Sequence, residues 1–183
     1  MSLSRSQQRT YHALVSAGLE ILLEKGYDAL NVSEITERAD YGRSTFYLYF
    51  TDKEDFIWSI LRDQAEQLDA YILAEVADLD YPQREFRAWE IIFLQIEQQA
   101  SFWQMLDGKT SQQLRQRQRV LLIDLFERNL SAGNFQLPIQ LPPDLGARYL
   151  VGTASEILEY WVNNLHIGTA QEMAKLLCDL VYK

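Results

Sequence analysis

Between Arg43 and Lys53 the chain gathers side chains able to donate hydrogen bonds, Arg43, Ser44, Thr45, Tyr47, Tyr49 and Lys53 among them. Guanidinium, hydroxyl, phenol and ammonium groups of mixed reach are suited to base edges and phosphate oxygens. Phe46 and Phe50 lie four apart among them, the spacing of one buried helix side. The polar set is then left at the helix start and on its outer side. Lys53 follows Asp52, which can cap a further helix, so the lysine occupies a first turn. The helix dipole slightly disfavours a cation there, which suggests an outside anion such as a phosphate. This is chemistry of recognition. For catalysis the chain offers little. Its two histidines, His12 and His166, are far apart, and it has no HExxH, no paired-cysteine spacing, no P-loop and no dinucleotide-binding glycine turn. No catalytic residue, metal site or cofactor is assigned, and an enzyme is not expected.

The elements that must position these groups are legible just upstream. Asn31 can cap a helix, with Glu34 three residues on as in a capping box. Val32, Ile35 and Ala39 share one side of that helix. Asp40-Tyr41-Gly42 stops it, since Asp40 and Gly42 both tolerate left-handed backbone. A second helix is expected from about Arg43 to Tyr49. Two helices joined by a tight turn, the second polar at its start, form a helix-turn-helix.

At these positions the chain resembles the DNA-binding domain of TetR-family repressors. The resemblance rests on Gly26-Tyr27-Asp28-Ala29, Val32-Ser33-Glu34-Ile35, Glu37-Arg38-Ala39, Ser44 through Phe50, and Asp52-Lys53-Glu54. It runs over roughly Ser6 to Leu61. It implies a ligand-responsive, all-helical, homodimeric transcription regulator, probed by an unknown small-molecule effector and bound to a double-stranded DNA operator. Arg43, Ser44 and Tyr47 would then enter the major groove, while Asn31, Thr45, Tyr49 and Lys53 would hold phosphates. Ser33, where a basic residue is common, and Asp40, at a turn position usually glycine, depart from the family pattern.

The chain has 183 residues, a net charge of −9 and one cysteine, Cys178. The length allows one or two compact domains. The single cysteine excludes an intrachain disulfide and suits a reducing cytoplasm. Cys178 falls in an apolar run and reads as a small core residue. No apolar run reaches the roughly 20 residues that span a bilayer. MSLSRSQQRT lacks a hydrophobic signal core, so a cytoplasmic protein without membrane contact is expected. The acidity opposes nucleic acid unless Arg5, Arg9, Arg43 and Lys53 gather on one face. A helical interaction protein of the same fold that no longer binds DNA is therefore the alternative.

Helical periodicity continues to the C-terminus without a convincing strand, which gives an all-α fold. A three-helix head over residues 1–55 is expected to precede a larger helical effector-binding and dimerisation domain over residues 56–183. Asp52 opens a long helix shared between the two. Helices are expected over Gln83–Gln99, Ser101–Leu106, Ser111–Leu130 and Pro143–Asn164, then from Thr169, with Glu172 completing a capping box. The last two are apolar on more than one side, as in a four-helix interface of a twofold dimer. The middle of the chain is rich in aromatics. Trp58, Trp89, Phe93, Phe102, Trp103 and Tyr160 are candidates for a ligand pocket, each competing with a plain core role. Glu90 and Glu97 share a helix side and are placed to meet a cationic ligand.

Overall fold

The computed structural model describes residues 4–182, and every described regular element is helical. Met1, Ser2, Leu3 and Lys183 lie outside the described residues, as do the outer ends of the two expected domains and the start of the stretch read for a signal core. The order is α1 (Arg5–Lys25), a 3-10 turn (Tyr27–Ala29), α2 (Val32–Arg38), α3 (Arg43–Phe46) and α4 (Lys53–Glu75). It continues through α5 (Gln83–Gln98), α6 (Ala100–Leu106), α7 (Gln112–Ser131), α8 (Pro143–Val162) and α9 (Ala170–Val181). The all-α expectation is met: a small helix-turn-helix head is followed by a larger helical body.

The caps explain where these helices start. Asp52 and Ser111 each accept a hydrogen bond from the amide three residues on, the standard N-cap arrangement. Thr169 and Glu172 form the reciprocal box read from the sequence. Ser4 and Gln7 form a second one at the start of α1. Helix bounds follow expectation within two residues except at the end of α3. The regular part of α3 is a single turn ending at Phe46, and residues 47–49 continue as a tighter turn. α8 ends at Val162.

One apolar cluster fills the head. Leu14, Ile21 and Leu22 of α1, Ile35 of α2, Phe46, Phe50, and Phe56, Ile57, Ile60 and Leu61 of α4 are all buried in it. Phe102 and Leu106 of α6 and Leu114 of α7 join the same cluster. The core is thus continuous across residue 56, and α4 carries it. Further along, Ile72 of α4 meets Ala88 and Ile91 of α5 beside Val76. A third cluster joins Trp89 and Phe93 of α5 to Leu150 and Trp161 of α8 and Leu177 of α9.

Gly18 sets how closely α1 approaches α4. A Cβ built there collides with the Phe56 ring, with Cε1 at 2.6 Å. That ring is fully buried and has no room to retreat. Gly18→Ala should therefore destabilise the head despite the better helix propensity. Overpacking costs about 1–3 kcal/mol, against about 1 kcal/mol gained from propensity. Urea denaturation should show a lower midpoint, restored at least in part by pairing Gly18→Ala with Phe56→Leu.

Candidate nucleic-acid interface

The helix-turn-helix is built from local bonds. The Asn31 side-chain oxygen Oδ1 accepts from the Glu34 backbone amide at 3.0 Å. The Asn31 side-chain amide donates to the Ala29 carbonyl at 2.9 Å. The Glu34 carboxylate does not return to the cap backbone; it pairs with Lys25 of α1. α2 ends in a turn where Asp40 takes φ 58°. That left-handed geometry suits a short polar side chain. Gly42 begins α3 at φ −78° and needs no special freedom. Of the two turn residues, only Asp40 uses the left-handed region.

The tip of α3 is presented to solvent. Arg43 and Ser44 are exposed, and Tyr47 is 57% accessible. Beneath them Phe46 and Phe50 are buried, their ring centroids 5.0 Å apart. Arg43 is steadied by a bond from Nη2 to the Ser33 hydroxyl at 2.7 Å. Ser33, whose neutrality weakens the electrostatic case, thus supports the arginine. Thr45 and Tyr49 are half-buried. The Tyr49 ring packs 6.2 Å from that of Tyr11.

Asn31 and Lys53 are differently placed. Both polar groups of the Asn31 side chain are engaged at its cap. The Lys53 ammonium donates to the Tyr27 carbonyl at 3.1 Å and lies 4.0 Å from the Tyr27 ring centroid. A backbone acceptor and a ring face supply that cation with partners. Its first-turn position does not by itself require an outside anion.

Two residues escaped the sequence reading. Leu48 is 81% accessible, an unusual exposure for leucine beside a buried Phe46. Tyr41 is exposed in the turn, and the Thr10 hydroxyl approaches its oxygen at 3.5 Å. The signal for Leu48 was present: with Phe46 and Phe50 inward, helical geometry turns positions 47 and 48 out.

Acids of the head hold cations both from the head and from the body. Arg38 pairs with Glu24 at 2.8 Å and Glu20 at 3.8 Å. The hydrogen bond from Arg38 holds the Glu24 carboxyl below its usual range. Lys109 bonds Asp28 at 2.5 Å and lowers that carboxyl likewise. Arg5 and Arg9 are exposed and take part in no ion pair among the described residues.

Polar contacts also tie the head to the body. The Glu54 carboxylate accepts from the Ser111 amide at 3.1 Å and its hydroxyl at 2.6 Å. Arg117 of α7 donates to Asp55 at 3.2 Å and covers the Trp58 ring at 4.6 Å. Behind this junction lies a cavity of about 470 Å³ between α4, α5, α6, α7 and α8. Trp89 and Trp103 reach its wall. Trp58 lies at the junction, Phe93 packs on Trp161 at 5.3 Å, Phe102 fills the head cluster, and Tyr160 is exposed. Glu90 is paired with Arg87 at 2.7 Å and Glu97 is exposed; neither is on the wall. The acidic residue of α5 that does reach it is Glu85. Cys178 is half-buried, and burial pushes its thiol up to about 12.

Comparison with known proteins agrees with this geometry. Residues 14–59 match the family model for bacterial regulatory proteins, tetR family. The chain is 29% identical over 79 residues to the uncharacterized HTH-type transcriptional regulator YwcC of Bacillus subtilis, covering 43% of this chain and 34% of that protein. A putative TetR-family transcriptional regulator from Syntrophomonas wolfei superposes with a TM-score of 0.71 at 23% identity, over 94% of this chain and 93% of that one. The regulator FadR from Bacillus subtilis, in complex with stearoyl-CoA, gives 0.65 at 21% identity, over 93% and 96%. The chain spans 34%, 42% and 32% of the length of three curated relatives that it matches. The head is thus matched by sequence over residues 14–59, and the whole chain is matched by fold. No described helix is long and apolar enough to cross a membrane.

The junction predicts an acid response. Burial alone would raise the Asp55 carboxyl, but bonds from the Thr51 amide and Arg117 outweigh it and hold the group below its usual range. A carboxyl depressed in the folded state stabilises at pH values above its unfolded pKa. That contribution is lost as pH falls through the lower folded value. Asp55→Asn should lower stability near neutral pH. It should also flatten the loss seen below about pH 5 in denaturation curves measured across pH.

Proposed function

We propose that the chain is a DNA-binding transcriptional regulator: a cytoplasmic repressor that reads a near-palindromic operator as a homodimer and is released by a small-molecule effector. The observation that carries this reading is the exposed tip of α3, seated on a buried aromatic floor. Arg43, Ser44 and Tyr47 enter the major groove, and Arg43 meets a guanine edge. Leu48 adds an apolar surface for a thymine methyl group. Thr45, Tyr49, Asn31 and Lys53 lie along the phosphates and fix register; for Asn31 and Lys53 this requires exchange of, or addition to, their present bonds. Residues 1–55 act as the reading head and residues 56–183 as the effector and dimer domain.

Dimerisation is supported by apolar side chains left exposed on the last two helices. Leu145, Tyr149 and Tyr160 on α8 and Leu176 and Leu180 on α9 all face solvent. A twofold copy covers them and presents two heads to half-sites about one DNA turn apart. Response to an effector is supported by the cavity behind the junction. Its contents bear on the segment that grips Asp28, Glu54 and Asp55.

The second reading, a helical interaction protein that has left DNA, is favoured by the inward bonds of Lys53 and the acidic turn at Asp40. Selection of bound fragments from random DNA decides between them. The regulator enriches a near-palindrome; absence of any enrichment leaves the interaction protein. Within the enriched site, Arg43→Ala should relax one position, with about 1–3 kcal/mol of discrimination lost. Lys53→Ala should weaken every sequence alike and reduce the salt slope. Equal effects from the two would remove the assigned roles.

The dimer face has its own measurement. Leu176→Glu combined with Leu180→Glu should give monomers in sedimentation at micromolar concentration and abolish operator binding, while the helical spectrum persists. A monomeric wild-type protein at that concentration would rule out twofold docking.

A further inference from the structure

The cavity wall is not uniformly apolar, and its polar atoms are unusual. Among the described residues, three buried side-chain atoms have no hydrogen-bond partner: Gln64 Oε1, Glu85 Oε2 and Trp103 Nε1. All three residues line this one cavity. They come from α4, α5 and α6, so no single local distortion explains them. A buried polar group left without a partner costs about 1–3 kcal/mol. The three atoms are themselves closed to a water-sized probe, but their side chains border the cavity, so a small side-chain shift lets an occupant supply the missing bonds.

The chemistry of that occupant follows from the atoms. Glu85 is 1% accessible. Its Oε1 is saturated, accepting from Arg84 Nη2 at 3.0 Å, Arg84 Nε at 3.3 Å and the Gln136 amide at 3.0 Å. Its Oε2 accepts nothing. Gln64 Oε1 is likewise an acceptor, so two of the three atoms call for donors, and only Trp103 calls for an acceptor. The charge of the wall points the same way. Five carboxylates line it against two guanidiniums; Arg115, Arg119, Asp107, Glu156 and Glu159 are exposed, which leaves Asp69 and Glu85 as the charged groups set deeper in the wall. Arg115 is moreover engaged with the Thr110 carbonyl. Between the polar atoms run apolar side chains such as Leu68, Ile92 and Phe126.

We infer that the cavity takes a lipophilic ammonium: a largely apolar body whose N–H donors reach Glu85 Oε2 and Gln64 Oε1. The inference rests on the proposed effector role of this cavity and names the ligand class. It sets the chain apart from its fold neighbour in complex with stearoyl-CoA. A carboxylate or phosphate headgroup placed against Glu85 would meet like charge and leave the orphaned oxygens unserved.

The test uses the full chain and three probes of one length: decylamine, decanol and decanoate, below their aggregation limits. Binding is read by calorimetry and by quenching of tryptophan fluorescence, since Trp89 and Trp103 stand on the wall. Decylamine should bind at least tenfold more tightly than either of the others. Glu85→Gln keeps an oxygen for Arg84 and Gln136 while turning the free position into a donor. It should cut decylamine affinity at least tenfold and narrow or invert the preference over decanoate. Gln64→Leu, which leaves the Arg84 pair untouched, should weaken decylamine severalfold and guards against misfolding of the first variant. The inference is overturned if decanol or decanoate matches decylamine, if stearoyl-CoA outcompetes it, if no probe binds, or if neither variant changes the preference. The outcome is separable from the regulator reading. Amine binding without enrichment of any DNA sinks the regulator and keeps the ligand class; an enriched operator in a protein that ignores amines does the reverse.

Discussion

The direction of a four-residue helix depends on three phenylalanines. A helix of one turn has no stability of its own, because nucleation costs more than its few bonds return. α3 stands because Phe46 and Phe50 are locked to Phe56, with centroids 5.0 Å apart for Phe46–Phe50 and Phe50–Phe56 and 5.9 Å for Phe46–Phe56. Phe56 belongs to α4 and is in turn pressed against Gly18 of α1. Position and aim of Arg43, Ser44 and Tyr47 are therefore fixed by packing on their inner side. Their outer side is free of structural duty apart from the bond to Ser33. That division of labour lets a very short element carry exposed groups without collapsing onto them.

The acidity of the chain looks less opposed to DNA once the ion pairs are traced. Net charge is −9, yet charge acts locally when the Debye length is near 10 Å at about 0.1 M salt. Arg38 offsets Glu20 and Glu24 on the α1–α2 side, and Lys109 offsets Asp28 at the junction. Asp52 and Asp55 are spent on backbone amides at the start of α4. Arg5, Arg9 and Arg43 keep their charge without an acidic partner among the described residues. What is left near the reading tip is more basic than the composition suggests. Asp40 remains an exposed acid in the turn and works against that balance.

Much of the fold was legible because its signals are local. Caps at Asp52, Ser111 and Thr169 and the paired phenylalanines of α3 each act within a turn of helix, where sequence spacing maps directly onto space. The candidate site was legible to the same extent: the exposed tip follows from the periodicity that buries Phe46 and Phe50. What sequence could not supply were the long-range partners. Lys53 reads as a cation awaiting an anion until the Tyr27 carbonyl, far back along the chain, is placed beside it. The role of Gly18 depends on Phe56, which is distant in sequence. Glu85, which no sequence signal singled out, is buried on a cavity wall, whereas Glu90 and Glu97 are not part of that wall. Of the six aromatic candidates for a ligand pocket, Trp89 and Trp103 line the cavity.

Cavity and head meet through one short segment, and the character of its bonds matters for any response. Gly108, Thr110 and Leu114 line the cavity, while Lys109, Ser111 and Arg117 grip the head. The two roles alternate along the same stretch of backbone, so a displacement on one side is carried to the other without a separate lever. The polar part of the grip is partly exposed, and such pairs are worth little each, typically below about 1 kcal/mol. Beside it Phe102, Leu106 and Leu114 join the head's apolar cluster, so the polar bonds adjust around a packed contact. Weak, directional bonds can exchange at small cost. The shift demanded of a ligand then stays within the 1–3 kcal/mol typical of coupling between two sites. A ligand that satisfies Gln64 and Trp103, close to this segment, has differential contacts with which to move it, the requirement any population shift must meet.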